Sequence, residues 1–127
     1  AFKSACGKFM RGRFVAALYT PLCCVSVTLL ERAAATAYMI LDTLGYDART
    51  CELAQIAGYM HDIGNVVNRI DHAQSGAVMA FRLLDRLGMP ADEIAQIVSA
   101  IGNHDEATAV PVTPIAAALI IVYPCSS

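Results

Sequence analysis

The amino-acid sequence predicts an all-α protein, a compact single-domain bundle of about five or six helices that covers residues 1–127. Apolar residues recur at helical spacing along nearly the whole chain, and no alternating, strand-like pattern of useful length occurs. The 127 residues are enough to bury a core, and 57% of them are hydrophobic. The connections are short and no internal repeat occurs, so the pattern favours one domain.

Residues 14–30 form an uncharged, largely apolar run behind a basic start, which is also typical of a signal peptide or a short membrane anchor. The run has 17 residues, the lower limit for a spanning helix of about 17–25. Pro21 interrupts it, and the apolar pattern continues beyond Glu31 and Arg32. We therefore predict a buried helix or helix pair here, with a membrane segment as the alternative.

The first clear helix is predicted over about residues 27–44, with Gly45 as its stop. Thr50 is the predicted N-cap of a second helix over about residues 51–61, which Gly64 ends. The first helix presents one broad apolar face, which we expect to pack on the core. The residues on that face are Ala33, Ala34, Ala37, Ile40, Leu41 and Leu44.

The third helix is predicted over about residues 72–87. Asp71 and Gln74 resemble a capping box at its start, in which a side chain at each position satisfies a main-chain group of the other. Gly88 follows the last apolar position and is the expected stop. These signals predict a helix of about four turns.

Two more helices complete the predicted bundle. Pro90 opens a helix that reaches about residue 102, since proline is well tolerated in the first turn. Thr113 and Pro114 open the last helix, which runs from Ile115 to about Tyr123 and is strongly apolar.

Charge and cysteine content exclude several classes of protein. The net charge of −2 gives no reason to expect nucleic acid as a partner. The five cysteines are odd in number and follow no disulfide or zinc-finger spacing, which favours a reducing, cytoplasmic location. No Gly-x-Ser-x-Gly motif and no glycine-rich phosphate loop occurs.

Side chains of the metal-ligand type lie at three of the predicted helix ends. His61 and Asp62 end the second helix, His72 lies in the first turn of the third, and His104 follows the fourth. Imidazole nitrogen and carboxylate oxygen both bind divalent metals, and helix ends in a bundle can converge on one cleft. A His-Asp pair at a helix end is also common as a purely structural cap, so this pattern alone leaves both interpretations open.

The wider pattern resembles the HD-domain superfamily of metal-dependent phosphohydrolases. The resemblance covers roughly residues 38–122, and the chain ends at 1–30 and 123–127 are atypical of the family. The segments that carry it are Leu44-Gly45-Tyr46-Asp47, His61-Asp62-Ile63-Gly64, Asp71-His72-Ala73-Gln74-Ser75-Gly76, Ile101-Gly102-Asn103-His104-Asp105-Glu106 and Thr113-Pro114.

The resemblance implies a site built on the His-Asp pair. His61 and Asp62 would be the core metal ligands and the catalytic residues, and His72 and His104 the ligands of a second metal. A metal-bound water would attack phosphorus. Asn65 stands where many members carry a lysine near the substrate phosphate. Arg69 is the nearest cation that could compensate, although a solvated loop arginine is the alternative.

Two departures from the family pattern concern the first metal. The family's early histidine would fall near Leu29, and no histidine precedes His61. Thr28 and Glu31 are the nearest substitutes. The late aspartate would fall at Tyr123, a poor replacement for a carboxylate.

The resemblance therefore predicts a phosphohydrolase that cleaves a phosphate ester or anhydride of a small molecule, with nucleotides as the expected class. The cofactor would be a divalent ion, and iron, manganese, zinc, nickel, cobalt and magnesium all remain open. The missing ligands support an alternative, a degenerate HD module that binds metal, nucleotide or a protein partner without catalysis. The apolar surplus is compatible with a homodimer.

Overall fold

The computed structural model describes residues 27–105 and 107–126. Within those residues it contains five α-helices, one short 3-10 helix and no strand, which confirms the all-α prediction. The apolar residues 14–26 and the cysteines at 6, 23 and 24 lie outside the described residues. The elements are α1 (Val27–Thr43), α2 (Ala48–Met60), the 3-10 helix (Ile63–Val66), α3 (His72–Arg86), α4 (Ala91–Gly102) and α5 (Pro114–Ser126).

Helix α2 packs against α1, α4 and α5. Gly58 of α2 allows the backbones of α1 and α2 to meet, since a Cβ there would lie 2.7 Å from the Cα of Ala34. All five helices contribute buried apolar side chains to one core. Helix α3 packs on α4 and on the 3-10 helix, so the start of α3 lies next to the end of α2. No helix in the described ranges combines the length and apolar content that a membrane span requires.

Several predicted helix ends are confirmed. Gly45 and Gly88 adopt φ values of +87° and +80°, the left-handed conformation with which α1 and α3 are expected to stop. Thr113 begins α5 as predicted, because its hydroxyl accepts a hydrogen bond from the main-chain N–H of Ala116 at 3.0 Å. Helix α5 continues to Ser126, three residues beyond the predicted end.

The predicted N-cap of α2 is wrong. Asp47, not Thr50, caps the helix: its carboxylate accepts hydrogen bonds from the Thr50 main-chain N–H at 3.2 Å and from the Thr50 hydroxyl at 2.6 Å. Both residue types are good caps, but the ionised aspartate lies three residues before Thr50 and satisfies its N–H. The helix consequently begins at Ala48.

The predicted capping box at α3 is also wrong. Asp71 adopts a left-handed conformation (φ 57°, ψ 27°) and makes no side-chain cap hydrogen bond. The Gln74 side chain instead donates to the main-chain carbonyl of Gly102 at 3.1 Å, which ties the start of α3 to the end of α4. Aspartate is one of the residue types other than glycine that more often adopt this conformation.

The predicted apolar face of α1 is confirmed except at its end. Ala33, Ala34, Ala37 and Leu41 are buried and Ile40 is half-buried. Leu44 is 68% exposed, because it follows the last helical residue and no longer shares the helix face.

Candidate metal centre

The four predicted ligand residues lie together, and all are buried. His61 is the C-cap of α2, and Asp62 directly precedes the 3-10 helix that turns the chain away from α2. His72 is the first residue of α3, and His104 follows the end of α4. Their exposed fractions are 3%, 9%, 2% and 1%, respectively. Burial of four such polar side chains is costly unless each has partners, which indicates a specific role.

The three imidazole rings are oriented in the same way. In each, Nδ1 lies within hydrogen-bonding distance of the main-chain carbonyl three residues earlier. The pairs are His61 with Gly58 at 2.6 Å, His72 with Arg69 at 3.0 Å, and His104 with Ile101 at 2.6 Å. A carbonyl only accepts, so each Nδ1 donates and the Nε2 of a neutral ring keeps its lone pair. Histidines that bind metals commonly donate their other ring N–H in this way.

The three Nε2 atoms converge on the Asp62 carboxylate. His61 Nε2 lies 3.2 Å from Asp62 Oδ2, and the Nε2 atoms of His72 and His104 lie 3.5 and 3.7 Å from Oδ1. The latter two nitrogens are only 3.2 Å apart. Lone pairs that face one another and a carboxylate repel, and a metal ion or a proton among them would remove the repulsion.

The environment of Asp62 Oδ1 is the strongest structural indication of a cation site. It is buried, and the described part of the chain gives it no hydrogen-bond partner. A buried carboxylate oxygen without a partner is costly, and a bound divalent ion would satisfy it. One set of ligand atoms, from His61, Asp62 and His104, lies within 4.8 Å of one another. The residues present therefore fit a divalent metal ion bound through nitrogen and oxygen.

The surroundings favour the metal-binding forms of Asp62 and His72. Burial opposes ionisation of Asp62, but polar contacts with His104 and His61 outweigh it, and the pKa of the carboxyl lies well below its usual range. Burial, followed by the nearby charge of Arg69, lowers the pKa of His72 below its usual value. Asp62 is thus ionised and His72 neutral at neutral pH, the states in which they bind a metal.

Asn65 and Arg69, the predicted substrate-binding residues, lie beside the cluster. Asn65 is buried in the 3-10 helix, and its Oδ1 accepts a hydrogen bond from Arg69 Nη1 at 3.2 Å. Its Nδ2 is also buried and has no hydrogen-bond partner among the described residues. The Arg69 side chain is 60% exposed, and its Nη1 lies 3.8 Å from Asp62 Oδ1. The Arg69 guanidinium thus lies near the Asp62 carboxylate and donates a hydrogen bond to the Asn65 amide oxygen.

Two glycines, Gly64 and Gly76, bring Asp62 and His72 together, a role that the helix-end signals in the sequence do not reveal. A Cβ on Gly64 would overlap the main-chain carbonyl of His72 and lie 2.6 Å from the Gly76 nitrogen. The 3-10 helix and the first turn of α3 therefore meet backbone to backbone. The available signal was Gly76 itself, because a glycine inside a predicted helix often marks a close approach.

Two positions are expected to complete the family's first metal site. The one whose side chain is described carries no metal-binding group. Leu29 on α1 is half-buried and apolar, and the two nearest ligand-type side chains, Thr28 and Glu31, are exposed to solvent. The side chain of Tyr123 lies outside the described side chains. The four clustered residues thus lie just after the ends of α2 and α4 and at the start of α3, and none of them lies on α1 or α5.

Comparison with known families agrees with this geometry. The family model described as "HD domain" matches residues 30–122, which is about three quarters of the chain and includes all four clustered residues. No curated protein and no solved structure gave a significant match.

Proposed function

The chain belongs to the HD superfamily of metal-dependent phosphohydrolases, and on that basis we propose that it hydrolyses a phosphate ester or anhydride of a small molecule. Nucleotides are the expected substrate class. The observation that carries the proposal is the buried Asp62 carboxylate. One of its oxygens has no hydrogen-bond partner among the described residues, and three imidazole Nε2 atoms are directed toward the carboxylate. Such an arrangement is costly for a structural cluster and suits a metal-dependent active site.

His61, Asp62, His72 and His104 supply the candidate ligands. Nitrogen and oxygen ligation is compatible with iron, manganese, zinc, nickel, cobalt or magnesium. When bound, the divalent ion supplies an activated water and neutralises charge on the phosphate oxygens. The protein fixes the imidazoles through carbonyl contacts that leave each Nε2 directed into the site.

Asn65 and Arg69 would bind the substrate phosphate. The Asn65 Nδ2 is a buried donor with no partner in the described part of the chain, and a phosphate oxygen would satisfy it. The Arg69 guanidinium would add a positive charge at the solvent side of the site, where a substrate must enter. Together the two residues supply the contacts that a lysine supplies in many family members.

The rival function is a degenerate module that binds a ligand without turnover. The apolar Leu29 at the expected position of the family's early histidine favours this reading, because it removes a ligand of the first metal. The four-residue cluster is common to both functions, so catalysis must be tested directly.

Phosphate release by the wild type and by Asp62→Ala decides between the two functions. Each protein is incubated with nucleoside mono-, di- and triphosphates and with each candidate metal. We expect wild-type turnover and a fall in kcat/KM of at least about 100-fold in the variant, since the ligand joining the imidazoles is lost. Asp85→Ala, which removes an exposed carboxylate on α3, is the matched control and should retain activity.

Wild-type phosphate release no greater than that of Asp62→Ala, with every metal and substrate, would contradict the enzymatic function. The degenerate module would then be the better description.

A further inference from the structure

A side-chain hydrogen bond joins the start of α3 to the end of α4, next to the candidate metal centre. Gln74 Nε2 donates to the main-chain carbonyl of Gly102 at 3.1 Å. Gln74 lies two residues after His72, and Gly102 lies two residues before His104. The hydrogen bond therefore spans the same gap between the two helices as the two imidazoles, whose Nε2 atoms are 3.2 Å apart.

The partner of Gln74 lies on a different helix. Gln74 is the third residue of α3, where a glutamine side chain ordinarily turns back to the main chain just before its own helix. It reaches α4 instead, and the last carbonyls of a helix have no N–H donor within that helix. One of those carbonyls belongs to Gly102, the final residue of α4. The Gln74 side chain thus satisfies a helix end and links two helices.

Gly102 is a point of backbone freedom in the segment that leads to His104. Glycine has no Cβ and accepts more backbone conformations than other residues. The neighbouring Ile101 carbonyl lies 2.6 Å from His104 Nδ1 and so sets the direction of that imidazole. A hydrogen bond to the Gly102 carbonyl restrains the adjoining peptide group, and hence the path of the chain into His104.

Packing between α3 and α4 does not supply the same restraint. A Cβ on Gly102 would lie 3.7 Å from the Cβ of Ala77, so the helices meet there across small apolar surfaces. Apolar contacts are non-directional and allow such surfaces to slide. A hydrogen bond weakens steeply away from its preferred distance and angle, so it fixes the register of the two helices. This restraint opposes the repulsion between imidazole lone pairs that face each other at 3.2 Å.

We infer that Gln74 is a positioning residue, which holds the imidazoles of His72 and His104 together for a divalent ion by bonding to the Gly102 carbonyl. Gln74 acts through these two histidines and is not itself a ligand. Its loss should leave every ligand in the chain but weaken binding of the ion, because the ligands are then less well preorganised. The inference rests on the metal centre of the proposed function, but not on turnover.

The dissociation constants of Zn²⁺ and Co²⁺, measured by calorimetry, test this role in the wild type and in three variants. Gln74→Glu has nearly the same shape, but its carboxylate cannot donate to a carbonyl. Gln74→Leu keeps the approximate size and removes the polar group. Gln74→Lys restores an N–H donor on a side chain long enough to reach Gly102. Gln96→Glu, the same change in a half-buried glutamine of α4, is the matched control.

We expect Gln74→Glu and Gln74→Leu to bind both ions about three- to tenfold more weakly, the effect of one lost hydrogen bond of ordinary strength. Gln74→Lys and Gln96→Glu should remain within about twofold of the wild type. Charge alone predicts the opposite order, because the carboxylate of Gln74→Glu would attract a cation and the ammonium of Gln74→Lys would repel it. The order of the affinities therefore separates the lost donor from the changed charge.

The absorption spectrum of bound Co²⁺ is a readout that a purely structural contact would not change. The bands of Gln74→Glu should shift or weaken because the His104 imidazole is reoriented, and those of Gln74→Lys should match the wild type. Chemical denaturation of the metal-free proteins checks that the variants remain folded, which we expect for substitutions at an exposed position.

Wild-type affinities and spectra in both Gln74→Glu and Gln74→Leu would overturn the inference, and so would a Gln74→Lys affinity as weak as that of Gln74→Glu. Phosphate release is measured on the same proteins. A wild type that releases no phosphate, together with the expected loss of affinity in Gln74→Glu, would refute the proposed function and support this inference. A wild type that binds no metal would refute both.

Discussion

Asp62→Asn is expected to abolish the stabilisation of the protein by divalent metal. The substitution keeps the size of the side chain but removes the negative charge on which three imidazoles converge. With free metal at 100 times its Kd, the wild type should gain about 2.7 kcal/mol of unfolding free energy, or roughly 10 °C in melting temperature. The variant should gain almost nothing. Thermal unfolding followed by circular dichroism, with and without metal, measures both.

Asp85→Asn is the control for this experiment, because it removes an exposed carboxylate of the same type far along α3. It should respond to metal as the wild type does. An equal metal-induced rise in melting temperature for Asp62→Asn and the wild type would show that the stabilising ion binds elsewhere.

Gly64→Ala is expected to have the largest effect on folding of any single methyl group added to the site. The new Cβ would overlap the His72 carbonyl and approach the Gly76 nitrogen to 2.6 Å. Both obstacles are backbone atoms, so relief requires the 3-10 helix and α3 to move apart. Overpacking of side chains typically costs about 1–3 kcal/mol, and a clash with backbone should reach about 3 kcal/mol or more. Chemical denaturation measures the loss, and metal affinity should fall with it because Asp62 and His72 separate.

Gly102→Ala is the matched control. It adds the same methyl group to another glycine near the site, but the nearest atom is the Cβ of Ala77 at 3.7 Å, an ordinary contact. Its stability should be unchanged or slightly raised, since alanine favours helix. If both variants unfold at the same denaturant concentration, the close approach of Gly64 to α3 does not limit stability.

Local sequence signals predict most helix ends of the fold because each depends on a few neighbouring residues. Gly45, Gly88 and Thr113 mark boundaries that the structure confirms. The signals fail where two candidates compete or where tertiary contacts intervene. Asp47 precedes Thr50 and takes the capping role, and Gln74 bonds to Gly102 on α4 rather than to its own helix. Gly102 lies 28 residues after Gln74 in the chain, so no local pattern reveals this hydrogen bond.

The identity of the clustered residues is predictable from sequence, but their geometry is not. The order of His61, Asp62, His72 and His104 on helix ends is enough to recognise the family and expect convergence. Which carboxylate oxygen faces which imidazole depends on how closely α3 approaches the 3-10 helix. That approach depends on Gly64, whose sequence context indicated only a helix end.

Anomalous diffraction from crystals grown with zinc tests the central claim most directly, namely that the buried cluster is a divalent metal centre. We expect a zinc peak at the cluster, within about 2.0–2.2 Å of Asp62 and of imidazole Nε2 atoms of the surrounding histidines. Zinc peaks confined to the protein surface, with no anomalous density at Asp62, would contradict it.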